Sequence, residues 1–523
     1  MKLVIVHYHL RPGGVRRIIE LGTPHLLRAF KGVIKSVTLA AGEAPDAHWA
    51  RLFQTQLGTM PVEFFIKPDF GYLTEQNSGV PAPIHMARLR QALARLLAGS
   101  GANNCLVWAH NLGLARNLRL TRELAGACAD HGIRLIAHHH DWWFDNRWQR
   151  WPEMRRAGFR TLQETAEAVF PNLANVFHVA INQADSRILH RHFSRHSEWL
   201  PNLADPERPP TPARVRAARA WLRDQLDAEA PVWLMPTRLL RRKNVAEALL
   251  LTRWLRPSAW LVTTGSVSSA DERAYAQQLA AAASARGWPL RLGILQGDES
   301  VKPSVAELLA ASETVLLTSI QEGFGLPYVE AAAASRPLIA RLLPNIAPDL
   351  AKFGFRFPQS YHELMVDPRL FDWSAERRRQ IELFRALRNK LPQACKDFVE
   401  PPLLVTSLTA PRAIGYGRLT LSAQLEILSQ PIERTWDWCA PLNPFLPVWR
   451  QRAETGQLQC TPWPRNARQW LSGKAYGERF QTIAQRKVET AVGRNAGLAA
   501  QEEFIRKKLG ASNLFPLLWA EES

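Results

Sequence analysis

Up to about residue 345, short apolar runs alternate with longer amphipathic runs, and this alternation constrains the fold more than any other feature of the sequence. Strands that alternate with helices form parallel sheets of the α/β class. The first series of candidate strands is Leu3–His7, Val33–Ala40, Cys105–Ala109, Arg134–His138, Val176–Ile181 and His196–Leu200. The second series is Val232–Thr237, Ala259–Thr264, Leu290–Leu295, Thr314–Thr318 and Pro337–Ala340. Candidate helices in the second series include Asn244–Leu255, Ala270–Arg286 and Ser304–Ala311.

The proline-rich segment "PNLADPERPPTPARVRAARA" separates the two series and predicts a linker near residues 205 to 230. We therefore expect two Rossmann-like, doubly wound domains, residues 1–205 and 206–360, that face each other across a cleft. Ligands of such sheets bind at the carboxyl ends of the strands. Residues 361–523 are expected to form a mostly helical or irregular extension. In it, "SAERRRQIELFRALRNKL" is amphipathic, and the part after residue 400 is rich in tryptophan and proline, which predicts only a helix or two.

The bulk composition is that of a globular protein with more than one core, because 46% of the 523 residues are hydrophobic and 22% are charged. The most apolar stretch, Val245–Gly265, contains Arg253, Arg256 and a proline, so no membrane span is predicted. The apolar run in "MKLVIVHYHLRPGG" is too short for a secretory signal, which indicates a cytoplasmic protein. The five cysteines contain no C-x-x-C pair, which predicts reduced thiols rather than disulfides or a zinc site.

The formal net charge of +19 favours anionic partners such as phosphorylated ligands, anionic lipid surfaces or nucleic acid. The alternative is a solvated, arginine-rich surface without a specific partner. No sequence motif of a nucleic-acid-binding module accompanies the charge, so we expect no nucleic-acid partner. Peripheral contact with the inner face of an anionic membrane stays open.

The segment "QEGFGLPYVEAAAASRPLIAR", residues 321–341, places two carboxylates around a tight turn that opens into a helix. The loop Glu322-Gly323-Phe324-Gly325 follows a candidate strand, and its glycines permit close backbone approach to a ligand. Pro327 suits the first turn of a helix beginning near Leu326, and Glu330 falls about one turn later. Carboxylates can accept hydrogen bonds from vicinal hydroxyls, as in a ribose or another sugar. The alternative is an ordinary strand-turn-helix with exposed glutamates.

Two further loops follow candidate strands. In "PTRLLRRKNVAEALLL", Arg238 ends a strand and Lys243 comes five residues later, and two such cations can hold a diphosphate and stabilise it as it leaves. Arg241 and Arg242 add positive charge, and a plain basic loop is the alternative. In "HLRPGGVRRIIE", Gly13 and Gly14 lie between the first strand and a helix, where backbone N–H groups can touch a phosphate.

Taken together, these segments resemble the retaining glycosyltransferases of family four (glycosyl transferases group 1), which have the GT-B fold. The resemblance is carried by "EGFGLPYVE", by the spacing in "RLLRRK", by the N-terminal "GG" turn and by "LPNLAD" at the domain junction, and it covers about residues 1–345. The sequence departs from the family's pattern at "RKN", at Leu203 and at "AAAAS", beside the charged positions. These departures concern fine specificity more than activity.

The resemblance implies a hexosyltransferase that uses a nucleoside diphosphate sugar, needs no cofactor or metal, and takes a carbohydrate, lipid or small-molecule hydroxyl as acceptor. It implies that Glu322 contacts the donor sugar, that Glu330 binds the ribose, and that Arg238 and Lys243 hold the diphosphate. Gly13 and Gly14 would lie against that diphosphate. Residues 1–205 would form the acceptor-side domain and residues 206–360 the nucleotide-sugar domain. Gly323, Phe324, Gly325 and Leu326 are carried over as donor-binding positions.

A histidine near the transferred sugar is also implied, and "LIAHHHDWW" supplies it, with His140 favoured over its neighbours His138 and His139. Successive strand residues point to opposite faces, so three adjacent histidines cannot easily share one metal ion, and no metal site is predicted. The acceptor is expected to be lined by His110, Asn111, Asp141, Trp142 and Trp143. Core tryptophans are the alternative for the last two.

Two rival functions stay open at this point. A sugar-nucleotide epimerase or a phosphorylase could use the same pair of domains, and a non-catalytic protein could bind the sugar nucleotide without turning it over.

Overall fold

The computed structural model describes residues 1–75, 81–204, 209–267, 272–297, 301–487, 493 and 495–519. The chain divides into two compact units, each assembled from three segments. Unit 1 comprises Met1–Leu203, Asn389–Val399 and Arg468–Gly510. Unit 2 comprises Ala204–Arg388, Glu400–Ala467 and Ala511–Ser523. Residues 361–523, grouped as one extension in the sequence analysis, are thus distributed over both units.

Unit 1 contains a seven-stranded parallel sheet in its described residues, with the order β3-β2-β1-β4-β5-β6-β7. The strands are β1 Lys2–Val6, β2 Ser36–Ala41, β3 Val62–Ile66, β4 Cys105–His110, β5 Arg134–His139, β6 Val176–Ala180 and β7 Ser197–Trp199. Leu3 and Ile5 enter one apolar core and Val4 and Val6 another, because side chains alternate across the sheet. Burial on both faces explains why central strands such as β1 and β4 are nearly continuous apolar runs in the sequence.

Helices cover the sheet of unit 1 in the order that the alternating pattern predicts. Those in the first segment are α1 Gly14–Ala29, α2 Ala47–Gln56, α3 Ala82–Leu96, α4 Leu118–Asp130, α5 Arg150–Arg156, α6 Leu162–Val169 and α7 Gln183–Phe193. Most have recognisable start signals: Asp46, Asn117, Thr161 and Asn182 each accept a hydrogen bond from a backbone N–H of the first turn.

Unit 2 contains a six-stranded parallel sheet in its described residues, with the order β10-β9-β8-β11-β12-β13. The strands are β8 Val232–Met235, β9 Trp260–Thr263, β10 Leu290–Arg291, β11 Thr314–Leu317, β12 Leu338–Arg341 and β13 Gln359–Tyr361, with an antiparallel pair of β14 Met365–Val366 and β15 Ile414–Gly415. The helices are α8 Pro212–Leu226, α9 Val245–Leu255, α10 Arg273–Ala285, α11 Val305–Ala311, α12 Leu326–Ala333, α13 Ala347–Phe353, α14 Trp373–Lys390, α15 Leu403–Thr406, α16 Leu421–Leu428, α17 Ile432–Cys439 and α18 Leu446–Glu454.

The chain then returns to unit 1 with α19 Arg468–Leu471, α20 Gly473–Gln485 and α21 Ala496–Leu509. Helix α20 packs closely on α1, and a Cβ on Gly477 would stand only 2.6 Å from the carbonyl oxygen of His25. Helix α21 packs on α7, where Glu503 accepts hydrogen bonds from Arg191 and His192. These helices complete the core of unit 1 rather than forming a domain of their own.

The predicted fold class is confirmed: the chain is α/β, with two doubly wound, Rossmann-like sheets as in GT-B proteins and a helical C-terminal region. The strands β3 and β13 were missed: none of the five residues of the edge strand β3 is fully buried, and β13 has only three residues, which are mostly polar. The predicted linker is wrong for residues 212–226, which form α8. Thr211 caps this helix by accepting from the N–H of Arg214, and Pro212 occupies the first turn, where proline is tolerated.

Three smaller expectations can also be compared with the structure. The C-terminal region contains more helices than the one or two predicted, because its tryptophans and prolines punctuate short helices. Residues 205–208 and the first two residues of the predicted helix Ala270–Arg286 lie outside the described residues. Within the described chain, the five cysteines are free thiols, and no helix is long and apolar enough to cross a bilayer.

Candidate functional site

The strand order of each sheet reverses direction at one point, between β1 and β4 in unit 1 and between β8 and β11 in unit 2. Ligands of doubly wound sheets bind outside the carboxyl ends of the strands at this switch point. The loops that carry Arg238, Lys243 and Glu322 follow β8 and β11 and therefore lie at this position in unit 2. The switch point of unit 1 is flanked by Gly13, after β1, and by His110, at the end of β4.

In unit 2, the carboxylate of Glu322 is the centre of a buried cluster and is only 8% exposed. The ammonium of Lys243 donates to its Oε1, and the hydroxyl of Ser319 donates to the same oxygen at 2.7 Å. The guanidinium of Arg242 donates to Oε2 at 2.7 Å. These contacts use three of the roughly four acceptor positions of a carboxylate, which leaves capacity for a hydrogen bond from a substrate hydroxyl.

The backbone holds the two loops of this cluster together. The hydroxyl of Thr318 donates to the carbonyl oxygens of Lys243 and Asn244, at 3.1 and 3.0 Å. The N–H of Ile320 donates to the carbonyl oxygen of Arg242 at 2.9 Å. On the other side, the side chain of Asn345 donates to the carbonyl oxygen of Glu322 at 2.8 Å. The charged side chains are thus held in place before any ligand arrives.

The surroundings of the cluster lower the pKa of both Glu322 and Lys243, but for different reasons. Burial by itself would raise the pKa of Glu322, but the charges of Lys243 and Arg242 outweigh it and lower the pKa to about 2. Burial is the largest influence on Lys243 and lowers its pKa to about 8, against the attraction of Glu322. At neutral pH, Glu322 is therefore an anion and Lys243 a cation close to its titration point.

Arg238, the second predicted cation, lies near enough to Lys243 to lower its pKa by charge repulsion. Its loop passes close to Gly265, which follows β9, and a Cβ on Gly265 would stand 3.0 Å from Cγ of Arg238. The structure therefore groups three cations, Arg238, Arg242 and Lys243, with the single carboxylate of Glu322. This set of four side chains has a formal charge of +2 and suits a diphosphate.

The glycine loop after Glu322 has a specific backbone requirement at one position. Gly325 has a φ of 77° as the N-cap of α12, and a Cβ there would lie 2.7 Å from the ring of Tyr328. Leu326 begins α12, so the first turn of this helix follows directly after the loop that carries Gly323. Phe324 is buried at 4% exposure, which is typical of an anchoring side chain. Glu330 is half-buried on α12.

Sequence reasoning missed four residues of this cluster: Arg242 as a direct partner of Glu322, Ser319, Asn345 and Gly265. Arg242 was recognised only as added positive charge. Ser319 carried a weak signal, since a polar residue directly after a buried strand often faces a site. Asn345 and Gly265 carried none, because they belong to loops whose proximity depends on the sheet order.

A second buried ionic network lies behind the loop that carries Lys243. Arg341 donates to Glu247 at 2.5 Å and to Glu363 at 2.8 Å, and the hydroxyl of Tyr361 also donates to Glu247. Asn244, directly after Lys243, donates to Glu247 at 2.8 Å. Burial raises the pKa of Glu247 in spite of these partners. The network ties α9 to β12 and β13 and so supports the position of the Lys243 loop.

In unit 1, the glycine pair lies where the sequence predicts it. Gly14 is the first residue of α1, and Gly13 is its N-cap in an extended conformation. A Cβ on Gly14 would have no neighbour within 4 Å among the described residues, so packing within the protein does not require glycine there. This open space is compatible with the predicted backbone approach to a phosphate.

The histidines of unit 1 divide between the two faces of the sheet. His110, His138 and His140 lie on one face, where His110 Nδ1 and His140 Nε2 are 3.0 Å apart. His139 lies on the other face, where its Nε2 is 3.2 Å from Nδ1 of His178. His140, favoured for the transferred sugar, is 7% exposed, whereas His138 and His139 are at 0% and 2%.

The predicted acceptor residues are mostly buried. Asn111, with a φ of 62°, joins the ends of β4 and β5: its N–H donates to the carbonyl oxygen of His138 and its Oδ1 accepts from the N–H of Asp141. Asp141 is half-buried and paired with Arg147 at 3.3 Å. His110 is fully buried.

Trp142 and Trp143 have the packing of core tryptophans. Trp142 is 1% exposed, its ring stacks against His139, and its indole N–H donates to Asp185 at 2.9 Å. Trp143 is fully buried and donates to Gln501 of α21. This favours the core alternative over a sugar-stacking role for both rings, because a stacking platform needs an exposed face.

Comparison with known proteins agrees with the geometry of unit 2. Residues 222–362 match the family described as "Glycosyl transferases group 1", and this segment contains Arg238, Lys243, Glu322 and Glu330. Unit 2 therefore contains a glycosyl transferases group 1 domain, of the type found in GT-B proteins.

Two curated relatives carry more specific names. The chain is 23% identical over 356 residues to a mannosylglucosyl-3-phosphoglycerate synthase of Petrotoga mobilis, covering 66% of this chain and 65% of that protein. It is 29% identical over 246 residues to a mannosylglucosylglycerate synthase of Thermotoga maritima, covering 43% of this chain and 54% of that protein. The chain thus spans less than two thirds of the length of either relative.

Among solved structures, a glycosyltransferase from Rickettsia africae is 12% identical at a TM-score of 0.49, covering 94% of this chain and 99% of that one.

Proposed function

We propose that the chain is a retaining hexosyltransferase that moves a sugar from a nucleoside diphosphate sugar to a hydroxyl acceptor. The observation that carries this proposal is the cluster of Glu322, Lys243 and Arg242 at the switch point of a glycosyl transferases group 1 domain. It combines an anion for sugar hydroxyls with cations for the diphosphate. Retention of configuration and membership of family four rest on the resemblance of "EGFGLPYVE" and "RLLRRK" to that family's motifs.

The cations have two tasks in this mechanism. They bind the diphosphate of the donor, and they offset the negative charge that builds on it as the bond to the sugar breaks. Lys243 and Arg238 are the residues implied by the resemblance, and Arg242 lies in the same cluster. Because these side chains already carry the positive charge, the reaction as proposed requires no metal ion at the diphosphate.

Glu322 has a different task. Its low pKa keeps it ionised at neutral pH, so it can accept a hydrogen bond from a hydroxyl of the donor sugar. Glu330, one turn into α12, is proposed to accept from the ribose diol. In unit 1, His140, His110, Asn111 and Asp141 stay predictions for the sugar and acceptor side, as do Gly13 and Gly14 for the diphosphate.

The names of the relatives suggest an acceptor class. Both are synthases of mannosylglucosyl compounds of glycerate or 3-phosphoglycerate. A small acidic acceptor of this kind fits the formal net charge of +19. We therefore propose glycerate glycosides and their phosphorylated forms as the first acceptors to test, beside neutral sugars and lipid-linked sugars.

The test measures nucleoside diphosphate release from a panel of sugar nucleotides, with and without each acceptor, and identifies the product and its anomeric configuration by NMR. We expect release that depends on the acceptor and a product with the donor's anomeric configuration. An epimerase would convert the donor with no acceptor present, and a phosphorylase would require inorganic phosphate. Donor binding without turnover on any acceptor would support the non-catalytic alternative.

Peripheral membrane contact is a separate proposal that rests on the positive charge alone. Sedimentation with vesicles of anionic phospholipid should retain the protein at low salt and release it as the salt concentration rises. Vesicles of zwitterionic lipid are the control. Equal recovery in the supernatant with both kinds of vesicle at low salt would contradict the proposal.

A further inference from the structure

We propose that His110, His138 and His140 in unit 1 form a binding site for a divalent transition-metal ion, with zinc as the ion best suited to the site. One nitrogen atom of each ring can be chosen so that the three atoms lie within 4.8 Å of one another. Neutral imidazole is a common ligand of zinc, copper, iron and nickel. The proposal concerns ion binding only and does not depend on the proposed sugar transfer.

The sheet explains why these three rings meet. His138 and His140 are two residues apart at the end of β5, so their side chains lie on the same face. His110 ends β4, and the register places it directly beside His138. His139, the middle histidine of the run, lies on the opposite face beside His178 and does not join the trio. The trio itself comes from two neighbouring strands, so the alternation of side chains along one strand does not keep it apart.

The spacing of two of the nitrogen atoms suits a shared ion. His110 Nδ1 and His140 Nε2 are 3.0 Å apart, and each would be a ligand at about 2.0–2.1 Å from a zinc ion between them. The ring centroids of His138 and His140 are 4.5 Å apart, so the third ring borders the same space. His110 Nε2 is buried and has no hydrogen-bond partner among the described residues.

The surroundings favour the neutral form of all three rings. Burial is the main cause that lowers the pKa of His140 to about 3 and the pKa of His110 and His138 well below their ordinary range. Neutral imidazole is the form that binds metals, so an ion does not have to displace an added proton. His140 is 7% exposed while the other two are at 0%, so the ion would enter from the side of His140.

Two existing hydrogen bonds among the described residues compete with the ion. His110 Nδ1 and His140 Nε2 are hydrogen-bonded to each other at 3.0 Å, and this bond is lost when both atoms bind the ion. The indole N–H of Trp108 donates to His138 Nδ1 at 3.3 Å, which is at the long end for such a bond. If His138 binds the ion through this atom, the indole bond is exchanged for a metal bond. Three protein ligands leave the fourth position of a tetrahedral zinc ion to water or to an exogenous ligand.

The experiment uses the full chain, purified without a polyhistidine tag and without chelators. Zinc content is measured by inductively coupled plasma mass spectrometry. The protein is then stripped with a chelator, dialysed and titrated with Co²⁺ while the visible d–d absorption is recorded. We expect about one ion per chain and the intense visible bands of tetrahedral, nitrogen-ligated cobalt.

The variants H140Q and H139Q form a matched pair, because both histidines lie in one run of three but on opposite faces of the sheet. H140Q should weaken Co²⁺ binding at least tenfold, and H139Q should bind Co²⁺ like the wild type. Circular dichroism checks that both variants fold. If H140Q does not fold, the test is the Tm of the metal-free wild-type protein, which added Zn²⁺ should raise.

Several results would overturn the proposal. The first is wild-type protein that contains no stoichiometric ion and shows neither cobalt bands nor a zinc-dependent rise in Tm. The second is a folded H140Q that binds Co²⁺ as tightly as the wild type, and the third is an H139Q variant that loses binding to the same extent as H140Q. Sugar transfer is measured separately, because His110 and His140 are also predicted to lie on the sugar and acceptor side.

Discussion

The ammonium of Lys243 and the carboxylate of Glu322 bind each other across 79 residues of sequence, at the carboxyl ends of two adjacent parallel strands. Both side chains are less than 10% exposed. Arg242 donates to the second carboxylate oxygen, so the anion and two of the cations of the proposed donor site are held together in unit 2. Such preorganisation reduces the rearrangement needed when charge develops in the reaction.

The first prediction concerns these charges. Replacing Lys243, Arg238 or Glu322 by alanine should lower kcat/KM for transfer by about 10²–10³-fold or more, since each substitution removes a preorganised charge. Arg242→Ala should lower it as well, because it leaves one oxygen of Glu322 unpaired. The measurement is steady-state kinetics, with circular dichroism to confirm folding. Arg223→Ala, which breaks only an exposed pair with Glu229, is the control. Near-wild-type turnover in the folded variants would contradict the assignment.

The second prediction concerns pH. Lys243 has a pKa of about 8, so it is charged below pH 8 and becomes neutral above it. A diphosphate requires the charged form, and the affinity for a nucleoside diphosphate should therefore fall as the pH rises through 8. In Lys243→Arg, the guanidinium stays charged, so this loss of affinity should disappear. Isothermal titration calorimetry between pH 6.5 and 9.5 measures both proteins. A wild-type affinity that is flat across this range would refute the role of Lys243.

The third prediction concerns Gly325. Alanine there would combine an unfavourable φ of 77° with a contact of 2.7 Å to Tyr328, and should destabilise unit 2 by about 1–3 kcal/mol. Gly126, inside α4 of unit 1, is the matched control, since a Cβ there would meet nothing within 4 Å. Gly126→Ala should stabilise by up to about 1 kcal/mol, as expected in a helix interior. Thermal unfolding measures both, and equal effects of the two substitutions would contradict the argument.

The fourth prediction concerns the network behind the Lys243 loop. Glu247→Ala leaves the guanidinium of Arg341 without one of its buried partners and should cost about 3–5 kcal/mol of stability. Because Asn244 also loses its partner, donor affinity should fall in the same variant. Glu229→Ala, which removes an exposed carboxylate, should change stability by less than about 1 kcal/mol. Chemical denaturation measures the stability of each variant, and a small effect at Glu247 would show that the network is not a structural support.

Much of the architecture could be predicted from the sequence. Strands buried on both faces, such as Lys2–Val6 and Cys105–His110, must be continuous apolar runs, so their positions and the α/β class follow from the pattern. Edge strands such as Val62–Ile66 carry a weaker pattern because fewer of their side chains are buried. The proline-rich segment after residue 208 was misleading for a local reason, since proline fits both a linker and the first turn of a helix.

The sequence by itself determined which chemistry the chain carries: a Lys243 loop and a Glu322 loop, each following a buried strand. Only the tertiary structure decided which side chains meet. It showed that Arg242 binds Glu322 and that Trp142 packs in the core of unit 1. It also joined His110 to His138 and His140 while separating His139. The physical reason is that periodicity along a strand assigns a face to each residue, whereas the neighbour across the sheet depends on strand order and register.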